Sequence, residues 1–223
     1  MGMQLATWNV NNGSVDERLV ELNAEFDVDV VAMQESATPD GDSNYLWDGD
    51  LAHKGVSLSS EFLMKQVVVD GETSPCLAAR VLDSPFGEFN VLNLWAKPKP
   101  SYFADLTRTI DLYSSFIRER PTVIVGDFNM SVRIASKGRQ FDLLNARLNH
   151  DSDLFSAYHE YTHQGFGMET MTTLYYMWGA SRCFHCDFIY IPGEWISRIK
   201  KVSVPGFKQF ATSDHRPVIC ELV

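Results

Sequence analysis

The sequence predicts an α/β protein in which two packed β-sheets carry helices on their outer faces. Three observations predict it. Short strand-like runs recur along all 223 residues, helical patterns are few and widely separated, and each half of the chain mixes strands with a helix. That mixture suits two mixed sheets better than one all-parallel, doubly wound sheet. With 45% hydrophobic residues the chain can bury one sizeable core, so residues 1–223 are expected to form a single domain.

Gln4–Asn9 reads as a strand that ends in Asn9. Ser14 then stands as a helix N-cap, with Glu17 three residues on to complete a capping box. Val15, Leu19 and Leu22 form the apolar stripe of that helix. Asp29–Met33 is a second buried strand, and it delivers Glu35. Asp40–Asp50 reads as an acidic loop. Its Asp40, Asp42 and Asn44 imitate the start of a calcium loop, but Tyr45 occupies the required glycine position and Leu51 that of the bidentate Glu, which excludes an EF-hand.

From Lys54 to Leu94 the pattern is of short strands, Val56–Leu58, Gln66–Val69, Leu77–Val81 and Phe89–Leu94, with turns at Asp70-Gly71 and Pro85–Gly87. Ser101 caps a long helix whose buried face is Phe103, Leu106, Ile110, Tyr113 and Ile117, and Pro121 stops it. Thr122–Val125 is a β-branched buried strand. It ends at Gly126, after which Asp127 and Asn129 follow two residues apart, a spacing that points extended side chains the same way. A weaker helix spans Gln140–Leu148. Strands return at Thr172–Met177, Phe184–Tyr190, Ile199–Val204 and Pro217–Leu222.

The net charge is −10, from 29 acidic and 19 basic residues. Binding to long duplexes by phosphate neutralisation favours basic proteins, so the balance argues against a tight, processive nucleic-acid binder. No basic leader and no membrane-length apolar run is visible, so the chain is expected to be soluble, cytoplasmic, free of membrane contact and monomeric. Cys76, Cys183, Cys186 and Cys220 are expected as reduced thiols, with Cys186 in the core and Cys183 at a strand end.

Seven polar residues stand at strand ends: Asn9, Glu35, Asp127, Asn129, Asp187, Asp214 and His215. A carboxylate inside the aromatic strand that holds Asp187 is costly unless it is paired or metal-bound. The set suits metal-assisted attack of water on a phosphate ester. Glu35, aided by Asn9 and Asp214, offers hard oxygen ligands for Mg²⁺, for which Mn²⁺ can substitute. Asp127, held by Asn129, can orient and deprotonate the water, and Asp187 can fix the His215 imidazole.

TWNVN, MQES, VGDFN, HCDFIYIP and SDHRPV resemble the five signature blocks of the endonuclease/exonuclease/phosphatase superfamily, in the family order from Thr7 to Val218. The resemblance implies a four-layer α/β/β/α sandwich and Mg²⁺-dependent phosphoester hydrolysis. It assigns metal-site roles to Asn9 and Glu35, the catalytic pair to Asp127 and Asn129, an Asp–His pair to Asp187 and His215, and the preceding aspartate to Asp214.

One block departs from the family. After VLNL the family has His or Tyr, whereas this chain has Trp95, whose indole donates a hydrogen bond but transfers no proton. A metal-bound water, Lys97 or Tyr102 is then left to protonate the leaving group, and Trp95 is expected to stack on a base or sugar or else to pack as an aromatic at the loop base. Asn11, His185, Lys97 and Arg133 complete the expected substrate contacts, with His185 sharing the face of Asp187. Lys97 and Lys99, and Arg133, Lys137 and Arg139, follow two catalytic strands and suggest a local basic rim. The substrate class expected is nucleic acid that is short, single-stranded or at an end, DNA ahead of RNA, with small phosphate esters or phospholipid head groups as the alternative. His159–His163 formally matches HExxH, but the surrounding sequence is a poor helix former and the match is read as coincidental.

Overall fold

The computed structural model describes residues 2–39, 45–71, 73–134 and 138–223. Asp40, Asp42, Asn44 and Lys137 lie outside the described residues. The chain runs β1 (Met3–Asn9), α1 (Val15–Asn23), β2 (Val30–Ser36), β3 (Tyr45–Leu51), β4 (Lys54–Ser60), β5 (Met64–Val67), β6 (Cys76–Ser84), β7 (Gly87–Trp95), α2 (Tyr102–Leu112) and α3 (Ser114–Glu119). It continues with β8 (Thr122–Asp127), α4 (Gly138–Ser152), β9 (Leu154–Ser156), α5 (Ala157–Thr162), β10 (Leu174–Tyr175), β11 (Cys183–Phe184), β12 (Asp187–Pro192), β13 (Ile199–Ser203) and β14 (Val218–Leu222).

Two six-stranded sheets form, in the orders β13-β14-β1-β2-β4-β3 and β5-β6-β7-β8-β12-β9. Each contains one parallel pair, β1 with β2 and β7 with β8, and the other pairings are antiparallel. The inner faces meet through Leu5, Val30, Val56, Leu77, Val91, Val123, Ile189 and Val218. The outer face of the first sheet packs on Val15 and Leu22 of α1. That of the second packs on α2, α3 and α4 through Leu106, Ile110, Phe116, Phe141 and Leu148. These are the four layers of the expected sandwich.

A polar stitch crosses the inner core. Gln34 on β2 donates to Asn93 Oδ1 on β7 (2.7 Å) and to Thr7 Oγ1 (3.0 Å), and Asn93 donates to the carbonyls of Met33 and Ser57. Buried amides are tolerated only when bonded in this way, and the stitch fixes the register of one sheet on the other beside the parallel pairs.

Four sequence-derived elements are corrected. The acidic loop includes an edge strand, β3, which pairs with β4 through Tyr45, Leu46, Trp47 and Asp48 before a bulge, so pairing along that one side holds it despite poor strand composition. The long helix from Ser101 breaks at Tyr113 into α2 and α3, although Ser101 does accept the capping hydrogen bond from Ala104 N–H. Ser14 caps α1 by position only, and its side chain makes no capping bond. The strand expected over Phe184–Tyr190 is two pieces: β11 pairs with β10, and β12 pairs with β8.

Candidate active site

The carboxyl ends of the two parallel pairs face one another, and every strand-end residue singled out in the sequence except His185 is brought to that edge. Two features aim them. At Glu35 the register of β2 against β4 shifts, and the backbone turns to φ 52°. At Asn129, just past β8, φ is 50°. Both residues sit in the left-handed region, a strained conformation that persists only where the surroundings hold it.

Asn9 is the hub. Its Nδ2 donates to Glu35 Oε1 (3.1 Å) and to Asp127 Oδ2 (3.0 Å), and its Oδ1 accepts from Asn11 N–H (3.1 Å). Asn11 Nδ2 donates to Asp214 Oδ1 (3.2 Å), so Glu35, Asn9, Asn11 and Asp214 form one hydrogen-bonded chain. Asn129 holds Asp127 from the other side, through its backbone N–H (2.8 Å) and its Nδ2 (2.7 Å). Asp187, in register with Asp127 across β12 and β8, accepts from His215 Nδ1 at 2.9 Å. Ser213 Oγ donates to the Asn9 carbonyl and accepts from His215 N–H, tying the SDH segment to β1.

Asp127, Asp187 and His215 are all buried, so their charges are strongly coupled. Burial, then the neighbouring Asp187 charge, push Asp127 up to about 7, against the pull of His215 and the Asn9 donor. Burial opposes charging of His215, but the Asp187 and Asp127 carboxylates outweigh it and raise the imidazole to about 10. The result is an imidazolium beside two carboxyl groups, with a neutralised interior and one base poised near neutrality.

Two groups suit a divalent cation. Donor atoms of Asp127, Asp187 and His215 lie within 4.8 Å of one another, but their hydrogen bonds to Asn9, Asn129 and each other already satisfy them. Glu35 is more open and already holds a cation, the Lys54 ammonium at 2.7 Å. Glu35 and Asp214, joined to each other through Asn9 and Asn11, offer hard oxygen donors of the kind a divalent cation takes.

Two expected substrate contacts are corrected. Trp95 is 5% exposed and packs in the inter-sheet core, with the Lys97 ammonium over its ring and Lys54 Nζ 5.2 Å from the ring centroid. It offers no open face to a base. His185 is 2% exposed and lies among Tyr158, His159 and Phe188. The interruption before β12 turns it from the Asp187 side into that aromatic cluster. Lys97 and Asn11 stand at the site, whereas Arg133 is exposed on the loop beyond Asn129.

In the HExxH segment, His159 bonds Ser156 Oγ (2.8 Å) and Glu169 Oε1 (3.2 Å) and stacks on Phe166. Against the expectation from its composition the segment is helical, but α5 stops at Thr162 and His163 lies beyond it in the left-handed conformation.

Sequence reasoning missed Lys54, Ser213 and the Gln34–Asn93 stitch. The signals were amides in the middle of apolar strands and a serine directly before Asp214. It also missed a pocket of about 550 Å³ beside Asn129, lined by Tyr102, Ile134, Tyr176, Arg182, Phe184 and Cys186.

A model of the Endonuclease/Exonuclease/phosphatase family matches residues 6–215. The chain belongs to this family. No curated protein sequence matches it. Among solved structures, a 3′ phosphatase, NExo from Neisseria, bound to a product DNA hairpin, superimposes with TM-score 0.73 at 20% identity, covering 99% of each chain. An AP endonuclease from Archaeoglobus fulgidus gives 0.69 at 17%, with 98% of each chain covered, and one from Leishmania major gives 0.72 at 11%, with 99% of this chain and 87% of that one covered. This similarity identifies the same sandwich fold. The family supplies the chemical class, phosphoester hydrolysis.

Proposed function

We propose that the protein is a Mg²⁺-dependent phosphodiesterase acting on nucleic acid at single-stranded or terminal segments, DNA in preference to RNA. The observation that carries this is the buried Asn9–Asp127–Asn129 arrangement, set against the Asp187–His215 pair and opening toward Glu35. Glu35, with Asn9 and Asp214, would hold the cation, which when bound would supply charge neutralisation and polarisation of the phosphoryl oxygens. Asp127, oriented by three N–H donors, takes the proton of the attacking water. The His215 imidazolium, fixed by Asp187, faces the phosphate oxygens and stabilises the charge that develops on them.

The pocket beside Asn129 favours a nucleotide unit over an isolated phosphate. It has the volume of a small-ligand site and pairs aromatic side chains with Arg182. Next to it, Tyr176, Met177 and Trp178 are exposed at the tip of the β10–β11 hairpin, where a base can stack. Exposed Arg133 contributes to the rim.

Nucleotide release from single-stranded DNA, duplex DNA, duplex with an abasic site, and RNA tests the reading. Cleavage of single-stranded DNA is expected with Mg²⁺ and abolished by chelator, and Asp127→Asn should cost at least about 100-fold in kcat. Failure to cleave any of them, with rapid hydrolysis of small phosphate monoesters instead, would replace it with the phosphatase reading.

A further inference from the structure

The leaving oxygen of a phosphodiester needs a proton, and Trp95 cannot supply one. The structure places a different donor at the same spot. Trp95 lies in register with Asp127 across β7 and β8, and Ala96 N–H bonds the Asp127 carbonyl at 3.0 Å. Lys97 therefore leaves the strand directly at the catalytic pair. Its backbone N–H is anchored on Asp105 Oδ2 at 2.8 Å, and its ammonium is folded back over the indole, which holds it toward the site instead of in solvent.

We propose that Lys97 is the general acid that protonates the leaving group. This assignment rests on the phosphodiesterase reading above. Water attacks phosphorus and gives its proton to the Asp127 carboxylate. The bond from phosphorus to the leaving oxygen breaks, and that oxygen takes a proton from Lys97 Nζ, which becomes a neutral amine. Exchange with solvent returns a proton to Lys97 and removes one from Asp127, so the cycle closes with no other reactant.

Placement agrees with the ammonium's chemistry. Burial pushes Lys97 down to about 8; the facing Glu35 and Asp127 carboxylates resist this, and Lys54 and Lys99 add to it. A donor in that range is still protonated at neutral pH and gives up its proton far more readily than an ordinary lysine. Lys54 is a poorer candidate, because its ammonium is committed to Glu35.

Leaving-group dependence tests the assignment, with kcat measured under Mg²⁺ on single-stranded DNA and on bis(para-nitrophenyl) phosphate, whose phenolate departs without a proton. Lys97→Met should lose about 100-fold or more on DNA but less than about 3-fold on the activated ester. Lys97→Arg keeps the charge but is too weak an acid to give up a proton, so it should fail to restore DNA cleavage. Equal losses on both substrates, or rescue by arginine, would make Lys97 a phosphate clamp and overturn the proposal while leaving the phosphodiesterase reading intact. A selective loss on DNA in Tyr102→Phe with none in Lys97→Met would also overturn it. Wild-type protein that cleaves neither substrate would overturn both.

Discussion

At Gly126 the backbone of β8 has φ 139°, and a Cβ there would drive into the Leu94 carbonyl of the adjoining strand. Gly126→Ala should destabilise the fold by about 3 kcal/mol, from overpacking added to backbone strain, measurable by urea unfolding. His185 makes a second residue-scale case. Its Nδ1 faces the Met171 carbonyl and its buried Nε2 has no partner, so burial lowers its pKa from 6.5 to about 4, with His159 adding to the effect and Glu169 and Asp187 opposing it. The unfolded chain therefore takes the proton first. Stability should be full above about pH 6.5 and fall as the pH drops toward 4, by up to about 3 kcal/mol. His185→Phe should flatten that slope, which denaturant titrations at several pH values will read. The meeting of Asp127 and Asn129 was legible in the sequence because the two follow a buried strand two residues apart. Trp95 was left between stacking and packing because sequence shows an aromatic at a strand end but not which side of it is covered.

On the proposed function, the element that meets the substrate is the β10–β11 hairpin, which is bridged to the SDH segment between Leu174 and His215. Trp178 is half exposed at its tip. Trp178→Ala should raise KM for single-stranded DNA by about 5- to 100-fold, the worth of roughly one stacked base, with kcat unchanged. Steady-state kinetics separates the two constants. This hairpin was hidden in the sequence, where Phe184–Tyr190 reads as one strand. Thr173 explains the break: its Oγ1 accepts the N–H groups of Cys186 (2.9 Å) and Asp187 (3.2 Å), while its own N–H bonds the Phe184 carbonyl. A side chain eleven residues upstream of Phe184 thus diverts the chain from β10 to β8, and periodicity carries no trace of that.

On the scale of the whole molecule, the charge of −10 means that, on the proposed function, phosphate contacts fall to a few cations such as Lys97, Lys99 and Arg133. Binding of catalytically dead Asp127→Asn protein to single-stranded DNA should therefore show a shallow salt dependence, with a log–log slope of about −2 for three phosphates. A slope several times steeper would mean a longer basic track than this surface provides. Among the described residues, no helix is long and apolar enough to cross a membrane.

The sequence by itself determined the two-sheet architecture, the order of the family's signature blocks and the convergence of Asn9, Glu35, Asp127, Asn129, Asp187, Asp214 and His215, because strand periodicity and strand-end polarity are local properties. Only the tertiary structure decided what lies between those strands. It buried Trp95 under Lys97, turned His185 into an aromatic cluster, set Lys54 on Glu35 and opened the pocket beside Asn129. Each of those outcomes depends on which distant side chain fills or leaves a given volume, and that is settled by packing two sheets against each other rather than by any single stretch of chain.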